Sequence, residues 1–119
     1  MPKLPEEKRR DSDYIADMIE FGEKAISYCK NITKEELEKD SRTLFATTYC
    51  IQCVGEASVH LSDETKVKIT SVPWKEIRGM RNILVHAYHN ADADVIYYTA
   101  TSELPALIKS IKNFITQNS

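Results

Sequence analysis

Apolar residues in this chain recur three, four and seven positions apart, in segment after segment. Between 11 and 30 the series is Ile15, Met18, Ile19, Gly22, Ala25, Ile26 and Cys29. From Ser41 to about Leu61 it is Leu44, Thr48, Ile51 and Gly55, with Phe45, Thr47, Val54 and Val59 on the adjoining side. Near the end it is Leu104, Leu107, Ile108, Ile111 and Ile115, with Phe114 beside them. Such spacing gathers each set on one face of a helix, and a helix with an apolar stripe is stable once another element covers it. The expected fold is all-α: a compact bundle of about five to six helices, in one domain spanning 11–119. The run VIYYT has the composition of a strand, but a lone strand would find no partner elsewhere in the chain.

Composition agrees where it is informative. Three glycines and four prolines are too few for a turn-rich β fold. Sixteen basic against eighteen acidic residues leave a net charge of −2, which argues against a broad basic face built for nucleic acid but allows a small local one. No apolar run approaches the roughly 18 residues of a membrane span. Residues 1–10, with two prolines and little to bury, read as a mobile lead-in without the apolar core of a signal peptide. A cytoplasmic location is expected. Cys29, Cys50 and Cys53 suit a reducing compartment as structural thiols; Cys50 and Cys53 form a C-x-x-C, but no second pair or spaced His pair completes a zinc site. No metal and no cofactor is expected.

Local signals divide the helices. Asp11 or Ser12 is placed to cap the first, which runs to about Lys30. Thr33 with Glu36 has the form of a capping box opening a short second helix. Ser62 to Ser71, charged and without period, reads as a surface connection. Pro73 suits the first turn of the next helix, and Ser102 is placed to cap the last.

The stretch Pro73 to Asn90, PWKEIRGMRNILVHAYHN, carries the chemistry. Read as one helix, it points Ile77, Met80, Leu84 and Ala87 into the core. The other side carries Arg78, Arg81, Asn82, His86 and His89, with Arg78, Asn82 and His86 four apart in a row. Arg81 and His86 lie five apart, so on a straight helix they diverge by about 140°. One substrate meets both only if it wraps the helix, if the helix ends early, or if a second copy of the chain contributes. Trp74 reads as a core or interface anchor. Glu56, a carboxylate inside an apolar helix, needs a partner, and an arginine of this stretch is the obvious candidate; the alternative is a rim position in water. Small residues at Gly55 and Ala57 allow a neighbour to come close.

The run RNILVHAY, Arg81 to Tyr88, resembles the Arg-x(4–6)-His motif of the HEPN superfamily of ribonucleases. More narrowly, PWKEIRGMRNILVHAY, with VGEA upstream and SELPALIKSI downstream, resembles the HepT-like toxins that pair with MNT-type nucleotidyltransferase antitoxins. The likeness runs from about Asp11 to Ile115. Ala87, between His86 and Tyr88, stands where that family often has an acidic residue.

The resemblance implies a HEPN-like helical homodimer and a metal-independent endoribonuclease toxin of a type VII-like toxin–antitoxin system. Its RNA substrate would be cleaved by attack of a 2′-hydroxyl on the adjacent phosphorus. His86 would move protons, Arg81 would stabilise the phosphate, and Asn82 would support the site, with Arg78 nearby. Tyr88 would be the acceptor of AMP from a cognate MNT-type nucleotidyltransferase, which silences the toxin. Two other readings stand beside this one: a non-catalytic helical module that binds and regulates such a nucleotidyltransferase, and a nucleotide-binding helical domain without RNA activity.

Overall fold

The helix Ser41–Val59 is the element on which the others are laid: the first long helix packs along it, and the motif segment crosses it. The computed structural model describes residues 9–86 and 90–118, with side chains described for 9–83 and 93–118. In chain order the elements are α1 (Asp11–Cys29), α2 (Lys34–Lys39), α3 (Ser41–Val59), α4 (Asp63–Lys68), α5 (Trp74–Gly79), a 3-10 segment (Met80–His86), α6 (Asn90–Tyr98), a π turn (Thr99–Glu103) and α7 (Leu104–Gln117). No strand occurs among the described residues, and VIYYT lies in α6 and the turn that follows it. No helix among them is long and apolar enough to cross a membrane. The all-α bundle expected from the periodicity is what forms.

The stripes meet in one core. Met18, Leu37, Ile51, Val54, Ile77, Ile96, Leu104 and Ile111 are fully buried or nearly so, each stabilising the fold by about 1.5–3 kcal/mol relative to exposure. Thr47 and Thr48 are buried too, because each hydroxyl donates 2.7 Å back to the carbonyl four residues earlier, of Thr43 and Leu44. That bond satisfies a hydroxyl which would otherwise be costly inside a core. Phe45, set on the adjoining side by spacing, and Ile115, at the end of the last stripe, are instead 53% and 42% exposed.

Thr33 and Glu36 make the expected capping box, with Thr33 Oγ1 accepting from the Glu36 N–H at 3.0 Å and the Glu36 carboxylate accepting from the Thr33 N–H at 2.8 Å. At α1 the expectation is corrected: the N-cap is Arg10, which makes no side-chain cap, and the Asp13 carboxylate accepts from its backbone N–H at 2.9 Å. Asp11 serves another helix. Its carboxylate accepts from the backbone N–H of Ser62 at 3.1 Å, from the Ser62 hydroxyl at 2.6 Å and from the Thr65 hydroxyl. Ser62 in turn caps α4, so part of the stretch expected as a plain connection is helical. Caps rather than an apolar stripe hold that helix, which is why its sequence shows no period. Ser102 caps nothing, because α6 runs into α7 through the π turn without a break. Residues 1–8 of the expected lead-in lie outside the described residues; Arg9 pairs with Asp17 at 2.8 Å and lies 4.6 Å from the centre of the Tyr14 ring.

The three thiols are free; Cys29 and Cys50 are buried and Cys53 half-buried. Burial is the main cause raising all three thiol pKa values, which opposes thiolate chemistry. No group of metal-ligating side chains occurs among the described residues.

Candidate active site

Trp74 starts the motif segment by tying it to the preceding turn: its indole Nε1–H is shared between the carbonyls of Lys66, at 3.1 Å, and Ile69, at 3.2 Å. The ring itself packs against the core, so the residue is an anchor. Ile77 and Met80 follow on the inward face, 2% and 4% exposed. Their burial sets the roll of the segment about its own axis and leaves Arg78, Arg81 and Asn82 exposed.

One continuous α-helix from Pro73 to Asn90 does not form. The α path ends at Gly79, and Met80–His86 winds as a 3-10 helix. Glycine is a weak helix former, and the β-branched Ile83 and Val85 follow it. At three residues per turn, Asn82 and His86 are about 120° apart and leave the expected row; Arg81 and His86 diverge by about 120° as well. The tighter winding therefore does not bring the motif arginine and histidine onto one face.

Three residues of α3, on one face by their spacing, receive Arg81. Gly55 is the first. A Cβ at that position would overlap the backbone nitrogen of Arg81 and lie 2.9 Å from the carbonyl carbon of Met80. Only a residue without a side chain permits this crossing. Gln52 is the second, its side-chain amide donating to the Arg81 carbonyl at 3.2 Å. Glu56 is the third, its Oε1 3.0 Å from Nη2 of Arg81. The expected arginine partner of Glu56 is thus found, and the rim position is found with it: the two side chains are 52% and 41% exposed. The other oxygen of Glu56 lies 3.2 Å from Nε2 of His60, one helical turn on. The His60 ring stacks on Tyr14 of α1, with centroids 5.0 Å apart and planes 16° from parallel.

Of the site residues named from sequence, Arg81 is held by α3 as described. Arg78 and Asn82 are exposed on the same segment, without a hydrogen bond or ion pair among the described residues. The backbone of His86 closes the 3-10 segment, and its side chain lies outside the described residues. Tyr88 and His89 lie outside them altogether. Sequence reasoning missed Gln52, His60 and Tyr14. The four-residue step from Glu56 to His60 is a legible pairing signal; the other two contacts cross between elements far apart in sequence.

A family model described as Ribonuclease HepT-like matches residues 18–114. The chain belongs to this family. Among curated relatives, "Probable ribonuclease HepT" of Thermococcus cleftensis is 32% identical over 100 residues, covering 84% of this chain and 91% of its own. "Putative RNase TTE0752" of Caldanaerobacter subterraneus subsp. tengcongensis is 33% identical over 102 residues, covering 86% of this chain and 91% of its own. No solved structure matches. Membership places this HepT-like chain among the ribonucleases, and the motif segment with its α3 seat falls within the matched residues.

Proposed function

We propose that this HepT-like chain is the endoribonuclease toxin of a toxin–antitoxin pair, acting on RNA without a metal ion. The 2′-oxygen attacks the adjacent phosphorus as its proton departs. The bond to the 5′-oxygen breaks as a proton arrives there, leaving a 2′,3′-cyclic phosphate and a 5′-hydroxyl. His86 is the group whose ordinary pKa suits both proton transfers. Arg81 meets the charge that develops on the phosphoryl oxygens, and its planar fork of donors suits that task. Arg78, three residues before Arg81 and also exposed, adds positive charge to an otherwise acidic protein.

The observation that carries this reading is the state of Arg81. It is exposed, its backbone is fixed by Gly55 and Gln52, and its guanidinium is engaged on one nitrogen only among the described residues. The divergence of Arg81 and His86 along the segment supports a homodimer in which two copies complete the RNA cleft. Silencing would come from a cognate nucleotidyltransferase that transfers AMP to Tyr88.

The test is cleavage of RNA by the purified protein in EDTA. Wild type cuts, and His86→Ala and Arg81→Ala are each inactive with unchanged helix content. Undiminished cleavage by purified His86→Ala overturns the assignment.

A further inference from the structure

We infer that Glu56 is a positioning residue for Arg81: its carboxylate orients the guanidinium for an RNA phosphate without occupying the whole of it. The inference rests on the reading of Arg81 as the phosphate-stabilising group and adds the device that aims it.

The geometry separates aiming from blocking. A guanidinium carries five N–H donors, and Glu56 approaches one nitrogen, Nη2, through one oxygen at 3.0 Å. A two-pronged pairing would cover a whole edge of the fork and stand in for the phosphate. The single contact leaves other donors without partners among the described residues, so a phosphate can be gripped while Glu56 stays in place. The carboxylate is itself restrained. Its second oxygen is 3.2 Å from Nε2 of His60, the His60 ring stacks on Tyr14, and the Arg9 guanidinium lies 4.6 Å from the Tyr14 ring centre. Both oxygens thus have partners, one at the C-cap of α3 and one on the motif segment, and the restraint runs back to α1. A long side chain such as arginine loses much rotamer freedom when it grips the charge that develops in the transition state; a fixed neighbour takes that loss beforehand.

The pair contributes little to holding the molecule together. Both side chains are about half exposed, where ion pairs are screened by water. The crossing of the two elements is made by Gly55, Ile77 and Met80, which do not depend on Glu56. The contact is therefore placed where it governs the direction of a side chain rather than the stability of a fold.

The experiment is steady-state cleavage of a mixed-sequence oligoribonucleotide by the full-length protein and its Glu56→Ala, Glu56→Gln and Arg81→Ala variants, with thermal melting of each. Glu56→Ala lowers kcat by about tenfold, because the loss falls on the transition state. KM stays within about twofold or decreases, since removing a negative charge beside the arginine favours a polyanion. Its melting temperature stays within about 2 °C of wild type, as for an exposed pair. Glu56→Gln keeps the length and shape of the side chain but loses the charge of this ion pair, and gives a kcat between those of wild type and Glu56→Ala. A Glu56→Ala protein with unchanged or raised kcat, or a loss confined to KM, overturns the inference, as does a Glu56→Gln variant no better than Glu56→Ala. Arg81→Ala separates the two levels. If it still cleaves, the role given to Arg81 fails; if it is inactive while Glu56→Ala keeps full kcat, only the positioning role fails.

Discussion

Gly55 of α3 lies against the peptide backbone of Arg81, with no room between them for a single carbon. The contact fixes how deeply the motif segment seats on α3, and so where the arginine emerges. Gly79, at the end of α5, has nothing within 4 Å of the position a Cβ would take. The two glycines therefore answer the same substitution differently. Gly55→Ala must push backbone aside, at a cost of about 1–3 kcal/mol, and it displaces Arg81 as it does so. Gly79→Ala is neutral or stabilising by up to about 1 kcal/mol, because alanine favours the helix. Thermal melting of the two variants checks the contrast, and RNA cleavage should fall sharply only in Gly55→Ala.

Asp11 links the start of α1 to the start of α4, and hydrogen bonds from Ser62 and then Thr65 are the main causes lowering its pKa. A carboxyl whose folded pKa is depressed contributes stability that is present above its unfolded value, near 4, and lost as pH falls through the lower folded value. Asp11→Asn keeps an acceptor oxygen but not the charge, and should cost about 1 kcal/mol at pH 7. The gap in melting temperature from wild type should be constant down to about pH 5 and close below about pH 4. A gap that widens with acid would contradict this account.

Dimerisation is proposed from the spacing of Arg81 and His86. At three residues per turn, positions 81 and 86 of the 3-10 segment are about 120° apart, and the proposed homodimer would let a second copy complete the cleft. Light scattering at micromolar concentration should give twice the chain mass of 13.6 kDa. A species of the single-chain mass alone would leave the two-copy cleft without support.

Tyr88 is expected to accept AMP. The modification would add a negative phosphate and a bulky nucleoside two residues from His86, where charge repulsion and occlusion both oppose RNA. Co-expression with a cognate MNT-type nucleotidyltransferase should raise the intact mass by whole AMP units and relieve growth arrest. Tyr88→Phe should keep most ribonuclease activity, gain no mass and escape this silencing. A wild-type protein that gains no AMP mass would end the idea.

Helical class, the apolar stripes of α1, α3 and α7, and the box made by Thr33 and Glu36 were all legible in the chain. Each depends on residues within one or two turns of each other, and local spacing carries that information. The likeness around Arg81 to Tyr88 was legible for a related reason, since it is a run of consecutive residues. The α4 helix was not, because caps from Ser62 and the distant Asp11 hold it rather than a stripe. Nor was the change of winding at Gly79, where the stripe of Ile77 and Met80 reads the same for either helix over so short a run. Glu56 announced by its burial-prone setting that it wanted a partner, and the arginines of the motif were the candidates. Only the crossing of two elements at Gly55, which brings Arg81 beside a residue 25 positions earlier, decided which arginine it was.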